Sequence, residues 1–205
     1  MLTQSRFSLC ATEPFFTARN FMSEIAPKLH QLESIFKERN APILGHLNPG
    51  LPEKEIKKFF VDNGIPEHSD LIALYQWHNG VKSIYGLQSS LIDLAPMGSF
   101  PNLNEMLALR NDFLSYDYFE VENRHEYVPI LSSGEDDMHL LKTSTGEIYY
   151  SSPSIQVYCD IRFRSLSSML DFILKCYKEG IFQMNPHEGL LVSEEYWTKK
   201  YDDQN

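Results

Sequence analysis

The densest group of side chains able to do chemistry is the acidic turn Glu135, Asp136 and Asp137, with His139 two residues beyond it. Carboxylate oxygens and an imidazole nitrogen can ligate a metal ion when they share one face of a strand. No second pair of ligands at a familiar spacing accompanies them, so the sequence predicts no metal site and no cofactor. We interpret the turn as a solvated acidic loop or as an acidic edge that contacts a protein partner.

Acidic and aromatic residues are mixed in a second segment, residues 116–122. Tyrosines inside an acidic rim are typical of protein interfaces, because the rings supply contact area and the carboxylates supply charge. Tyr116, Tyr118 and Glu120 are therefore candidate partner-binding residues, and burial of Tyr118 in the core is the alternative. Residues 194–197 repeat this chemistry near the C-terminus, where a docked helix is the alternative.

The sequence lacks the catalytic motifs that can be recognised from spacing alone. It has no Gly-x-Ser-x-Gly nucleophile elbow, no His-Glu-x-x-His zinc helix, no phosphate-binding glycine loop and no Cys-x-x-Cys. Ser132, Ser133 and Gly134 are interpreted as a turn. We therefore expect no catalytic residues and no enzymatic activity, with an active site assembled from distant residues as the remaining alternative.

Composition narrows the class of protein further. A chain of 205 residues with 42% hydrophobic residues can bury one sizeable core. The formal net charge of -10 and the scattered basic residues argue against nucleic-acid binding and are compatible with a basic protein partner. No apolar run approaches the roughly 18 residues that span a bilayer, and no signal peptide is evident. The distant cysteines Cys10, Cys159 and Cys176 indicate free thiols, so we expect a cytoplasmic protein.

Two short amphipathic helices, each ending in Asn-Gly, are predicted within residues 47–81. Gly64 supplies a left-handed cap for the first helix, whose apolar face carries Ile56 and two phenylalanines. Ser69 or Asp70 is expected to cap the second helix or to occupy its first turn, and Gly80 to end it. The apolar face of the second helix is predicted to consist of Leu71, Leu74, Tyr75 and His78.

Trp77 lies on the flank of this second apolar face, beside Leu74. A tryptophan at such a boundary usually packs against the core while its edge stays accessible. We interpret Trp77 and His78 mainly as packing residues. Contact with a partner is the alternative for Trp77.

The remaining elements follow from hydrophobic periodicity. Strict alternation over residues 155–161 predicts a strand with one wet face, which places Ile161 on the apolar side. Ser144, Thr145 and Gly146 are predicted as the turn of a hairpin. The other expected helices cover residues 23–40, 102–114 and 165–179, and the other strands cover residues 127–131, 138–143 and 147–151.

Helices followed by strands and one closing helix are typical of a single-domain α+β fold. We expect an antiparallel sheet flanked by N-terminal helices and a C-terminal helix. The predicted boundaries are an irregular segment over residues 1–22, the domain over residues 23–180 and an acidic, aromatic tail over residues 181–205.

Three segments in this order resemble the SUKH superfamily, which joins fungal regulators of cell-wall glucan synthesis with bacterial immunity proteins. LPEKEIKKFFVDNGIPEHSDLIALYQWHNG is similar to the paired N-terminal helices of that family. YVPILSSGEDDMHLLKTSTGEIYY is similar to its central strands and turns, and SLSSMLDFILKCYKEG to its closing helix. The resemblance extends over residues 47–180 and implies the α+β fold expected above.

The same resemblance implies a non-enzymatic domain that binds proteins. In the bacterial branch of the superfamily, a member blocks a toxin delivered by a neighbouring cell. We therefore expect an immunity protein whose acidic, aromatic surface covers a basic toxin domain, without nucleic acid or membrane as partner. A regulatory scaffold in cell-wall synthesis or signalling is the alternative, and an enzyme with a scattered site is the third. The predicted partner-binding residues are Glu135, Asp136, Asp137, Tyr116, Tyr118, Glu120 and Trp77.

Overall fold

The computed structural model describes residues 24–115, 121–133, 137–152 and 157–193. Amphipathic periodicity produces five α-helices in these ranges, each with an apolar face turned to the core. The last helix begins at a capping box, in which Ser165 and Ser168 each accept a hydrogen bond of 3.1 Å from the backbone N–H of the other. The helices are α1 Ala26–Glu38, α2 Glu53–Asp62, α3 Ser69–Trp77, α4 Leu103–Ser115 and α5 Leu166–Lys178.

The strands of the described residues are short. The four longest, β5 to β8, have five to seven residues, rich in aliphatic and aromatic side chains that favour extended backbone. Their bounds are β1 Leu47–Pro49, β2 His78–Val81, β3 Asp93–Ala95, β4 Gly98–Ser99, β5 Tyr127–Ser132, β6 Met138–Lys142, β7 Ile148–Ser152, β8 Val157–Phe163, β9 Phe182–Asn185 and β10 Gly189–Val192.

Six of these strands form one antiparallel sheet in the order β3-β4-β5-β6-β7-β8. Two smaller antiparallel pairs, β1 with β2 and β9 with β10, lie outside it. Each neighbour in the large sheet is also the next strand along the chain, so the sheet is a simple meander. The single-domain α+β fold predicted from the sequence is therefore confirmed, including the antiparallel sheet and the closing helix.

The core joins the helices to one another and to the sheet. Leu29, Leu32 and Phe36 of α1 are buried, and the Phe36 ring meets Tyr177 of α5 edge-on with centroids 5.8 Å apart. Burying one such side chain stabilises the fold by about 1.5 to 3 kcal/mol. At the surface, Lys28 Nζ lies 2.5 Å from Asp171 Oδ2 and joins the same two helices. Both contacts hold α1 against α5.

The end of α3 differs from the sequence prediction. The helix ends at Trp77, and His78 begins the strand β2, paired with Pro49 of β1. The Asn48 side chain donates to the carbonyl oxygens of Asn79 and Val81, at 2.9 and 3.0 Å, and holds this strand extended. The prediction that His78 belongs to the helical face was therefore wrong, because pairing with a distant strand overrides the local pattern.

The start of α3 follows one of the two predicted arrangements. His68 is the N-cap, and its Nδ1 accepts a hydrogen bond of 3.2 Å from the backbone N–H of Asp70. Ser69 and Asp70 occupy the first turn, as the second of the predicted alternatives has it, and His68 supplies the cap. A Cβ on Gly146 would lie 3.3 Å from His68 Nε2. The turn between β6 and β7 therefore reaches the beginning of α3.

The alternation predicted for β8 is interrupted. Ile161 is 44% exposed, although its sequence position predicts the buried face. Cys159 has a φ of 99°, and the register with β7 shifts beside it, from Asp160 to Tyr158. An extra residue in one strand is a β-bulge, which changes the face on which the next side chains lie. The prediction for Ile161 was wrong for this reason.

A hairpin follows α5, in the segment that the sequence predicts as a tail. Phe182, Met184 and Leu190 of β9 and β10 are buried in the main core. The Ser90 hydroxyl donates to the carbonyl oxygen of Glu188, at 2.7 Å, and so joins this hairpin to the chain before β3. Packed structure thus continues past Gly180. The irregular segment 1–22 and residues 194–205 lie outside the described residues.

Candidate functional site

An open cleft of about 710 Å³ lies between α1, α2 and α3. The first turns of α1 and α2 form two of its walls, and one side of α3 forms the third. Its lining combines small apolar side chains with charged and aromatic ones: Ala26, Leu29, His30, Glu53, Lys57, Glu67, His68, Ser69, Ile72, Ala73, Gln76 and Trp77.

The helix α3 borders the cleft because it has two apolar sides. Leu71, Leu74 and Tyr75 are buried in the core, as predicted. Ile72 and Ala73 lie next to that stripe and line the cleft. Gln76 and Trp77, four positions later on the helix, line it with them. Apolar residues outside the core stripe are the sequence signal for this surface, and they belong to no recognised motif.

Trp77 is half-buried on the wall of the cleft, and its orientation is fixed by a hydrogen bond. The indole Nε1 donates to Glu33 Oε2 of α1, at 3.0 Å. The other carboxylate oxygen of Glu33 lies 2.7 Å from Lys37 Nζ. The hydrogen bond from Lys37 lowers the pKa of Glu33, burial opposes that shift, and the bond from Trp77 adds to it. Glu33 is therefore an ionised anchor for the tryptophan at neutral pH.

His78 supports this arrangement from behind. Its Nδ1 lies 2.8 Å from the carbonyl oxygen of Asn48. Because a carbonyl only accepts hydrogen bonds, Nδ1 carries the proton. The imidazole also meets the Trp77 ring edge-on, with centroids 4.6 Å apart, and its Nε2 lies 3.9 Å from Glu33 Oε2. His78 thus packs beside the cleft and is not among its lining residues, consistent with a structural role.

The rim of the cleft carries one lysine between two carboxylates. Lys57 Nζ lies 2.7 Å from Glu53 Oε1 and 4.0 Å from Glu67 Oε2. The hydrogen bond with Glu53 is the main reason why the pKa of Lys57 is raised. These charges are exposed and partly neutralise one another, so the rim has a small excess of negative charge and several hydrogen-bonding groups.

The helix α3, which forms one wall of the cleft, is supported by a close contact between backbones. A Cβ on Gly50 would lie 1.9 Å from the carbonyl oxygen of Gln76. One residue later, the backbone N–H of Leu51 donates to the carbonyl oxygen of Tyr75, at 3.0 Å. The chain between β1 and α2 therefore runs directly against the last turn of α3. Only glycine fits at this position without displacing the cleft wall.

Two of the predicted partner-binding residues lie within the described part of the chain, and Trp77 is the one in the cleft. Asp137 lies just before β6, and its carboxylate accepts a hydrogen bond from the Ser152 hydroxyl. Asp137 is not among the residues that line the cleft. The other five, Tyr116, Tyr118, Glu120, Glu135 and Asp136, lie outside the described residues.

His139, next to the acidic turn in the sequence, is buried in the sheet. Burial is the main cause that lowers the pKa of His139 to about 3, and the charge of Arg162 lowers it further. The imidazole is therefore neutral at physiological pH and packs against the Tyr150 ring, with centroids 5.2 Å apart. Within the described ranges, no three His, Cys, Asp or Glu side chains are grouped so that they could hold a metal ion.

No protein-family model matches this chain, and no curated protein matches it. The resemblance to the SUKH superfamily thus remains a prediction from sequence motifs. In the part of the chain that the structure describes, no helix has the length and apolar character required to cross a membrane.

Proposed function

We propose that this protein is a non-enzymatic, protein-binding domain of the SUKH type that acts as an immunity protein. It would bind a secreted bacterial toxin and block the toxin's working face. The observation that carries the proposal is Trp77, a half-buried indole held in one orientation on the wall of an open cleft. Tryptophans of this kind are common hot spots of protein interfaces. Because Glu33 already fixes the ring, little conformational entropy remains to be lost on binding.

The charge of the chain favours a basic partner. The formal net charge is -10, and the cleft rim has carboxylates of Glu53 and Glu67 on either side of Lys57. An acidic surface increases the rate at which a basic protein is encountered, and apolar and aromatic contacts then slow its release. Such a protein would act in the cytoplasm, where it meets a toxin domain delivered from another cell.

The first experiment is co-expression with each toxin encoded beside this gene. We expect one toxin to form a stoichiometric complex, with protection of growing cells as the biological result. Isothermal titration calorimetry would then give the affinity of the purified pair. Absence of both binding and protection for every neighbouring toxin would refute the immunity function.

The second experiment tests the cleft with variants. Trp77→Ala is expected to weaken the complex about tenfold or more, as is typical of a hot-spot residue. Val61→Ala is the control, because Val61 is 72% exposed on α2 and does not line the cleft. Glu67→Lys, at the exposed rim, tests the same surface without disturbing packing. Unchanged affinity of folded Trp77→Ala and Glu67→Lys would exclude the cleft as the binding surface.

A further inference from the structure

Two exposed hydrophobic side chains lie together in the loop that follows β2. Tyr85 is 55% exposed and Leu87 is 41% exposed, and only Gly86 separates them along the chain. Single exposed apolar residues are common on protein surfaces, whereas neighbouring ones often mark a contact surface. The function proposed for the cleft makes no use of this pair.

One face of α4 places two carboxylates near the tyrosine. Glu105, Ala108 and Asp112 are spaced by three and four residues and therefore lie in one row along the helix. Burial raises the pKa of Tyr85, and the negative charges of Glu105 and Asp112 raise it further. Both carboxylates thus act on the phenol. Between them, exposed Ala108 leaves room for the side chain of another molecule.

The loop is attached to α4 through Glu105. Its Oε1 accepts a hydrogen bond of 3.2 Å from the backbone N–H of Ile84, and its Oε2 accepts one of 2.8 Å from the Asn102 side chain. Neither Glu105 nor Asp112 forms an ion pair within 4.0 Å with another described residue. The carboxylate of Glu105 is thus held in place by neutral donors, without a described cation within 4.0 Å.

We propose that Tyr85, Leu87, Glu105, Ala108 and Asp112, together called the Tyr85 patch, dock an arginine side chain of a basic protein partner. The guanidinium stacks on the Tyr85 ring and donates hydrogen bonds to Asp112, with the negative charge of Glu105 nearby on the same face of α4. The aliphatic part of the arginine covers Leu87 and Ala108.

Charge complementarity selects a cation as the occupant, and the aromatic ring selects arginine over lysine. A planar guanidinium stacks on an aromatic face while its five N–H groups reach neighbouring carboxylates, whereas an ammonium group is compact and strongly hydrated. That the partner is a protein rests on the proposed function. The Tyr85 patch would be a second contact surface of the same complex, and it would accept an arginine side chain of the partner.

The experiment uses the full-length protein and a synthetic nona-arginine peptide, titrated by isothermal calorimetry. Tyr85→Ala and Asp112→Asn are each expected to weaken peptide binding about fivefold, the size of one cation–π or charge contact. Tyr85→Phe keeps the ring and should bind within twofold of the unmodified protein. Ala108→Leu keeps every charge, fills the space between the carboxylates and should also weaken binding.

Glu188→Gln is the matched control for Asp112→Asn, because it removes the same charge from an exposed position in the turn between β9 and β10. Affinity within twofold of the unmodified protein is expected for this variant. Equal weakening by Glu188→Gln and Asp112→Asn would show general attraction to an acidic protein and overturn the proposal. Unchanged binding by Tyr85→Ala, or equal affinity for nona-lysine, would overturn it as well.

Because the peptide assay contains no toxin, this proposal and the proposed function can fail separately. Loss of peptide binding in the Tyr85 variants, with no toxin bound, supports the patch and refutes the immunity function. A toxin complex that is insensitive to Tyr85→Ala and Asp112→Asn supports the immunity function and overturns the patch as its contact surface.

Discussion

The cleft and the Tyr85 patch both place an aromatic side chain near carboxylates, but they use charge differently. Beside the cleft, Glu33 is paired with Lys37, and at the cleft rim Lys57 lies between two glutamates. In the patch, Glu105 accepts hydrogen bonds from neutral groups and has no cation within 4.0 Å among the described residues. Paired charges fix the shape of a surface, whereas unpaired charges remain available to a partner.

The two surfaces also differ in how closely other atoms approach their backbones. Gly50 lies against the carbonyl of Gln76, in the helix that forms one wall of the cleft. Gly86, at the centre of the patch, has a φ of 79°. A Cβ on Gly86 would have no described atom within 4 Å beyond its chain neighbours. Added volume at Gly50 therefore displaces the cleft wall, whereas at Gly86 it affects only the backbone conformation.

The largest expected effect tests this difference in packing. Gly50→Ala should lower the free energy of unfolding by about 3 kcal/mol, because its Cβ would overlap a backbone oxygen. Gly86→Ala should cost only about 1 kcal/mol, from the left-handed backbone conformation. Urea denaturation followed by circular dichroism measures both. Similar losses for the two variants would contradict the contrast between a packed cleft and an open patch.

A smaller effect tests the paired charge in the cleft. Glu33→Gln keeps an oxygen for the Trp77 N–H but removes the charge beside Lys37, and should cost about 0.5 to 1 kcal/mol at pH 7. The pKa of Glu33 is lower in the folded protein than its usual value of 4.5. Its stabilisation is therefore complete above pH 4.5 and is lost as the pH falls through the lowered folded pKa.

Stability curves of Glu33→Gln and the unmodified protein should thus converge in acid. Glu105→Gln is the control from the patch, and its loss at pH 7 should be smaller. A constant difference between Glu33→Gln and the unmodified protein from pH 7 to pH 3 would show that the charge of Glu33 does not stabilise the cleft.

The smallest expected effect comes from removing the cation at the cleft rim, which leaves carboxylates without a paired cation, as in the patch. Lys57→Gln leaves Glu53 and Glu67 without their shared cation, so affinity for the nona-arginine peptide should rise about two- to threefold. The midpoint of urea denaturation should barely move, because the pair is exposed. Lys178→Gln changes the net charge equally at an exposed position in the last turn of α5. An equal gain in that control would assign the effect to net charge alone.

Local periodicity was sufficient to predict much of the fold. The stripes of α1 and α5 and the strands β5 to β7 were predicted from the sequence, because every signal for them lies within one element. The end of α3 was not predictable in this way. Whether His78 continues the helix depends on a contact with Asn48, 30 residues earlier. The hairpin β9–β10 was missed because its strands have only four residues each.

The sites were less predictable than the fold, since both are formed by distant segments. The position of Trp77 on the flank of a helix indicated a boundary residue, but its anchor Glu33 lies 44 residues away. The Tyr85 loop is short and contains glycine and serine, and the helix that supplies its carboxylates begins well after it. The hydrogen bond between Ile84 and Glu105 spans 21 residues. Sequence motifs do not reveal contacts between residues so far apart along the chain.

The hydrogen bond between Trp77 and Glu33 also has a kinetic consequence. Because α1 is packed against α5 and α3, the indole is held by elements that do not move unless the core opens. A partner would therefore meet the ring already in its bound orientation, with no rearrangement to wait for. Diffusion and electrostatic steering would then set the association rate, which should decrease as ionic strength increases.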